Sequence, residues 1–295
     1  MRKISLAVSL VALLAAAPAF ADPDNMSTIE QLNSTNANAL VTQSGQAGYK
    51  NKSFVTQKNV TNGVADVDQI NNQQKNESVV TQGGTWVEAI VEQNNTGGNN
   101  KSEIDQDGTG SSDADRSRVV VRQLGTNLSN DSYVDQDGNH ARTRVRQAGQ
   151  GNKNDSTVKQ AADYSRVVLR QRGQNNDNTS GITQKGTSQE ILVEQSGVDN
   201  KNDSTIDQNG SGSFVGLTQG GNNNDNDSII TQNADGSLID VEQGGTDNKN
   251  VSDILQTSDS SEIHLTQGTT STGLHHDSYI KQTGGSGNYV AVNQN

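Results

Sequence analysis

The chain has 295 residues, of which 29% are hydrophobic and 3% aromatic, and its formal net charge is −12. Ordinary domains are roughly half apolar, so this composition argues against a conventional globular core, and the negative charge disfavours wholesale binding of nucleic acid. The chain contains no cysteine, which removes disulfides and thiolate metal sites.

In chain order, the first expected element is a secretory leader. Arg2 and Lys3 form a charged start, Ile4 to Ala17 an apolar run, and Ala19-Phe20-Ala21 a small-x-small cleavage site. The reading is a signal peptide over 1–21 and a secreted chain over 22–295 that begins at Asp22. The apolar run is too short for a membrane span.

A repeat follows. Its first anchors are Gln31, Gln43, Gln57, Gln69, Gln82, Gln93 and Gln106, loosely timed. From Gln123 the beat is regular: Gln123, Gln136, Gln147, Gln160, Gln171, Gln184, Gln195, Gln208, Gln219, Gln232, Gln243, Gln256 and Gln267 alternate at intervals of 13 and 11 residues. Gln282 and Gln294 continue it, which makes 22 anchors and about eleven units of roughly 24 residues. A period of this size signals a solenoid or array.

Each anchor ends an alternating run. Ser204-Thr205-Ile206-Asp207-Gln208 is typical at the end of the longer interval, and Ser237-Leu238-Ile239-Asp240-Val241-Glu242-Gln243 at the end of the shorter. Period two means β-strand, with Ser, aliphatics and Gln on one face. Clusters such as Gly151-Asn152-Lys153-Asn154-Asp155 read as turns. The expected fold is therefore all-β: a β-solenoid of about eleven stacked strand–turn–strand rungs. Two intervals are long, so loops are expected over Gly108 to Arg116 and Thr269 to Gly273.

One rung buries too few aliphatics to offset the ordering of its backbone. Stability must come from stacking, and Gln suits it because its amide both donates and accepts. The repeat reaches Gln294, so no cap is expected and the outer strand edges should template further chains.

These residues resemble the curlin repeat of bacterial curli fibres, roughly Ser-x5-Gln-x4-Asn-x5-Gln with two strands per unit. The second half matches best: Gln160, Ser165 and Gln171; Gln208, Ser213 and Gln219; Gln232, Ser237 and Gln243; Gln256, Ser261 and Gln267. The chain departs in using Ser for Asn, in Ser-x3-Gln in the first half, in a longer repeat, and in lacking the Gly-rich N-terminal export tag. The resemblance implies a self-polymerising amyloid subunit of the biofilm matrix that mediates adhesion and aggregation. It further implies a nucleator subunit and a dedicated outer-membrane secretion system of Gram-negative type. The family's nucleator has a basic, divergent last repeat, which Ser278 to Asn295 lacks. The alternatives are a monomeric secreted solenoid adhesin and a surface-bound nucleator.

One outward ladder stands out: Arg118 and Arg122; Arg142, Arg144 and Arg146; Arg166 and Arg170, with Glu88 and Glu92 before it and Glu190 and Glu194 after. It reads either as an anion-binding patch, for instance for matrix polysaccharide, or as a solvated face that restrains lateral aggregation. No metal site or cofactor is expected: the Asp/Asn turns such as Asn222 to Asp227 lack calcium-loop spacing, and His275-His276 with Asp277 falls in an expected loop. Trp86 and the five Tyr show no regular spacing, which argues against single-strand nucleic-acid binding. Catalysis is not expected, because no nucleophile–base pair is legible and the outward carboxylates should keep ordinary pKa values.

Overall fold

A computed structural model of the chain describes residues 25–45, 50–71, 75–112, 115–270 and 272–295. The leader expected over 1–21 lies outside them. Twenty-two strands form two eleven-stranded sheets. Sheet one holds β1 (Met26–Leu32), β3 (Lys52–Thr61), β5 (Asn76–Thr85), β7 (Asn100–Gln106), β9 (Ser129–Gln136), β11 (Lys153–Asp163), β13 (Asp177–Thr187), β15 (Lys201–Gln208), β17 (Asp225–Gln232), β19 (Lys249–Gln256) and β21 (His275–Gln282). Sheet two holds β2 (Asn38–Gly45), β4 (Val64–Asn71), β6 (Val87–Thr96), β8 (Ser117–Thr126), β10 (Arg142–Gln150), β12 (Arg166–Gln171), β14 (Glu190–Gln195), β16 (Phe214–Gln219), β18 (Leu238–Gln243), β20 (Glu262–Gln267) and β22 (Tyr289–Gln294). Successive strands of the chain alternate between sheets, and every pairing is parallel, so the fold is a β-solenoid of eleven rungs.

Register follows the glutamines: Gln184 pairs with Gln208, and Gln195 with Gln219. Each rung but that of β9 and β10, where Thr143 takes one place, sets one aliphatic of sheet one against two of sheet two. Ile206 packs in this way with Val215 and Leu217, all buried, and the same column continues through Ile230, Ile239 and Val241. Such a narrow core accommodates the low apolar content because the remaining inward positions are small hydroxyls and amides, the glutamine amides held in ladders. No helix among the described residues is long and apolar enough to cross a membrane.

Left-handed residues make the corners. After β12, Asn175 adopts φ of 51°, and Asp199, Asn223 and Asp247 repeat it one rung on each time. Each such amide donates back one rung, as Asn223 N does to Val198 O at 2.8 Å. Asn and Asp tolerate this region better than other side chains. Trp86 and Tyr164 occupy the opposite corner with φ of 53° and 52°, where bulky residues are rare.

Two sequence expectations are corrected. The Asn-rich clusters are only partly turns: Asn154 belongs to β11 and is buried, and Asp225 to Asp227 begin β17. The inward phase of the strand simply continues back from Ser156 to Asn154. Likewise His275, His276 and Asp277 start β21 instead of lying in a loop, and His276 pairs with Asn250 in the parallel register. The first long interval does leave the ladder. Gly110 N bonds Thr85 O at 2.7 Å and Ser117 N bonds Trp86 O at 3.0 Å, so the extra residues depart from and return to one corner. The second rejoins at Thr272, bridged to Thr246.

Candidate functional site: the glutamine ladders and the arginine face

Every anchor glutamine of the regular stretch, Gln123 to Gln267 at the 13- and 11-residue beat, is buried. Each donates from Nε2 to Oε1 of its counterpart one rung toward the C-terminus. In sheet one Gln160 bonds Gln184 at 2.8 Å and Gln184 bonds Gln208 at 3.0 Å. In sheet two Gln171 bonds Gln195, and Gln195 bonds Gln219, both at 2.9 Å. The second amide hydrogen crosses to the other sheet: Gln195 Nε2 donates to Thr179 O, Gln219 to Asp203 O and Gln243 to Asp227 O, at 2.9 to 3.0 Å. Each of these sheet-two amides thus joins its sheet along the stack and clamps the two sheets together, which meets the requirement that buried polar groups be paired.

Two asparagine columns accompany them, and the sequence reading missed both. Asn178 Nδ2 donates to Asn154 Oδ1, Asn202 to Asn178 and Asn226 to Asn202, each at 2.8 Å, toward the N-terminus and so opposite to the glutamines. Two residues earlier, Asn176 Nδ2 caps Arg172 O at 2.8 Å while its Oδ1 accepts Asn200 N at 2.9 Å. The signal was present in the chain: the pair Asn-x-Asn recurs at 152, 176, 200, 224 and 248.

The arginine face lies on the outer side of β8, β10 and β12. In register, Arg118, Arg142 and Arg166 form one column, and Arg122, Arg146 and Arg170 another. Arg144 stands between Val120 and Val168, which are outward yet buried under the arginine stems. Carboxylates cap both margins. Arg118 Nε is 3.2 Å from Glu88 and Arg122 Nε 2.9 Å from Glu92; Arg166 is 2.7 Å from Glu190 and Arg170 3.7 Å from Glu194, which also meets Arg172. Among the described residues no carboxylate reaches Arg144 or Arg146 within ion-pair distance. Burial and then the guanidiniums of Arg122, Arg170, Arg146 and Arg118 push the Arg144 pKa down. The central row and its neighbours enclose a depression of about 320 Å³.

The expectation of unperturbed carboxylates is corrected. Burial raises the pKa of Asp66, Asp68, Asp105, Asp135, Asp137, Asp155 and Asp227, and like-charged neighbours add to it in most of them. A stacked outer face does this without a pocket, because identical columns bring carboxylates within one rung of each other. Among the described residues no group of three or more His, Cys, Asp or Glu is placed to hold a metal ion; His275 Nε2 lies 2.9 Å from Asp277 Oδ1. Comparison with known protein families and with curated proteins finds no match to the chain.

Proposed function

We propose that the chain is a secreted structural subunit that stacks end to end into curli-like functional amyloid fibres of a biofilm matrix. The pairing pattern carries the reading. Ladders pass through every rung, and among the described residues no strand pairs with the outer edges of β1, β2, β21 or β22. Ile29 on β1 is 37% exposed, whereas its interior counterpart Val55 is 1% exposed, so an outer rung presents the apolar and amide columns that a further rung would cover. The Nε2 of Gln282 is buried and has no hydrogen-bond partner, whereas Gln256 in the rung before it donates to Gln282 at 2.9 Å. A second chain presenting its first rung would supply that acceptor and extend both sheets, as open strand edges do.

The test is incubation of purified 22–295 with fibre diffraction and a seeded-growth assay. A meridional reflection at ~4.7–4.8 Å with seed-accelerated growth supports the fibre subunit. A chain that stays monomeric and β-rich at high concentration rejects it in favour of a solitary solenoid adhesin.

A further inference from the structure

Charge on the outer surfaces is segregated within one axial band. On sheet two the band carries the seven arginines of β8, β10 and β12. On sheet one, β7 and β9 with the residue after each carry Glu103, Asp105 and Asp107, then Asp131, Asp135 and Asp137, against Lys101. The acidic group shares two of the three arginine rungs: Gln106 Nε2 donates to Ser117 O at the start of β8 at 3.0 Å, and Gln136 Nε2 to Thr143 Oγ1 within β10 at 3.1 Å. Because the inward residues of both sheets fill one shared core, the basic and acidic groups lie on opposite outer faces.

We propose that the arginine face of β8, β10 and β12 docks laterally on the acidic outer face of β7 and β9 of a second copy of this chain. Each face is incompletely compensated within its own copy. Glu88, Glu92, Glu190 and Glu194 engage the marginal arginines and leave the Arg144 and Arg146 row facing outward. On the acidic side Lys101 meets only Glu103, at 3.8 Å, while Asp105, Asp135 and Asp137 crowd one another. Burial and that crowding disfavour their ionised forms, with Lys159 opposing at Asp135, just as burial and four neighbouring guanidiniums disfavour the charge on Arg144.

A second copy fits this face because both surfaces are ruled at the same ~4.8 Å strand spacing. Rows of guanidinium and rows of carboxylate therefore meet without distortion of either solenoid. Two arginine rows fall on β7 and β9 and the third on β5, which presents Glu77; sliding the copies so that a row faces β11 instead brings Lys153 and Lys159 beneath it with only Asp155 between them, which is less favourable. The contact joins two different surfaces and does not close on itself, so it propagates sideways as a ribbon of parallel solenoids. It does not depend on the end-to-end growth proposed above.

The experiment is charge exchange. One variant carries Arg142→Glu, Arg144→Glu and Arg146→Glu, the other Asp105→Lys, Asp135→Lys and Asp137→Lys. Lateral association is read as filaments per bundle in electron micrographs, or as dimer by sedimentation if the chain does not elongate. Elongation from seeds is followed separately. Expected is wild-type bundling at low ionic strength that dissolves as salt shortens the screening length from ~30 Å to ~3 Å. Each variant alone should lose about tenfold of the bundled fraction, and an equimolar mixture should regain it. Should a triple variant lose its β-sheet signal, Arg144→Gln with Arg146→Gln replaces it, with partial loss expected. Bundling by either variant alone at the wild-type level, or a folded mixture that stays dispersed, overturns the proposal. So does purified wild type that bundles only when a polyuronate is added, because the face would then serve a polyanion.

Discussion

The hydroxyl of Thr143 donates to Oε1 of Gln160 at 2.6 Å and accepts from Nε2 of Gln136 at 3.1 Å, so a residue of sheet two is stitched into the glutamine ladder of sheet one. Thr143 stands between Val119 and Val167 in an otherwise aliphatic column. Gln136 and Gln160 also bond each other at 2.9 Å, so neither amide depends on the hydroxyl alone. Thr143→Val is accordingly expected to change stability by no more than about 1 kcal/mol, read as the midpoint of denaturant unfolding.

Gln195→Leu should behave differently. It strips the acceptor from Gln171 Nε2 and the donor from Gln219 Oε1, and it releases Thr179 O. Each buried group left without a partner costs about 1–3 kcal/mol, so a total loss of several kcal/mol is expected. The same change at Gln43, half-buried at an outer rung, should cost clearly less. Equal losses at the two positions would refute the ladder as the source of stability.

At Ser132 the hydroxyl is buried and has no hydrogen-bond partner, whereas Ser204 Oγ donates to Ser180 Oγ at 3.0 Å. Ser132→Ala should be neutral or slightly stabilising, and Ser204→Ala should lose about 1 kcal/mol. Thermal unfolding of the two variants side by side decides the matter.

Gly210 and Gly212 separate two kinds of glycine constraint. A Cβ on Gly210 would lie 1.9 Å from Ala234 O, a backbone atom that cannot step aside, so Gly210→Ala should disrupt the rung. At Gly212 a Cβ meets nothing within 4 Å, but φ is +63°, and Gly212→Ala is expected to cost only about 1–2 kcal/mol.

For acid the sign runs against the usual behaviour of paired carboxylates. Asp105, Asp135 and Asp137 have folded pKa values raised by burial and by one another, with Lys159 opposing the shift at Asp135. The folded chain therefore binds protons more readily than the unfolded one. Stability should rise as pH falls through the folded values, and the gain should level off below the ordinary aspartate range. Asp135→Asn should raise the unfolding midpoint at neutral pH and flatten its pH dependence. A midpoint that falls on mild acidification contradicts this.

Much of the architecture was legible because inward positions repeat. The glutamine beat, the Ser-x-Ile-x-Gln alternation and the two loop insertions all recur in the structure. What escaped notice shares composition with turns: Asn154 and Asn202 sit beside Lys, Asp and Gly, and a local reading sees loop chemistry where the strand has already begun. Thr143 escaped because its column is aliphatic elsewhere. The pairing of Glu88 with Arg118 was visible as a pattern across the inserted loop, yet its contact geometry was not. Raised aspartate pKa values were missed because crowding between rungs has no counterpart in an isolated strand.

The opposed directions of the amide columns carry a further consequence. Long files of co-aligned primary amides would add their dipoles head to tail into an axial field that grew with every rung. Here the glutamine files point one way and the Asn130–Asn250 file the other. Their moments subtract, so lengthening the stack adds less axial polarisation than the glutamine files alone would build.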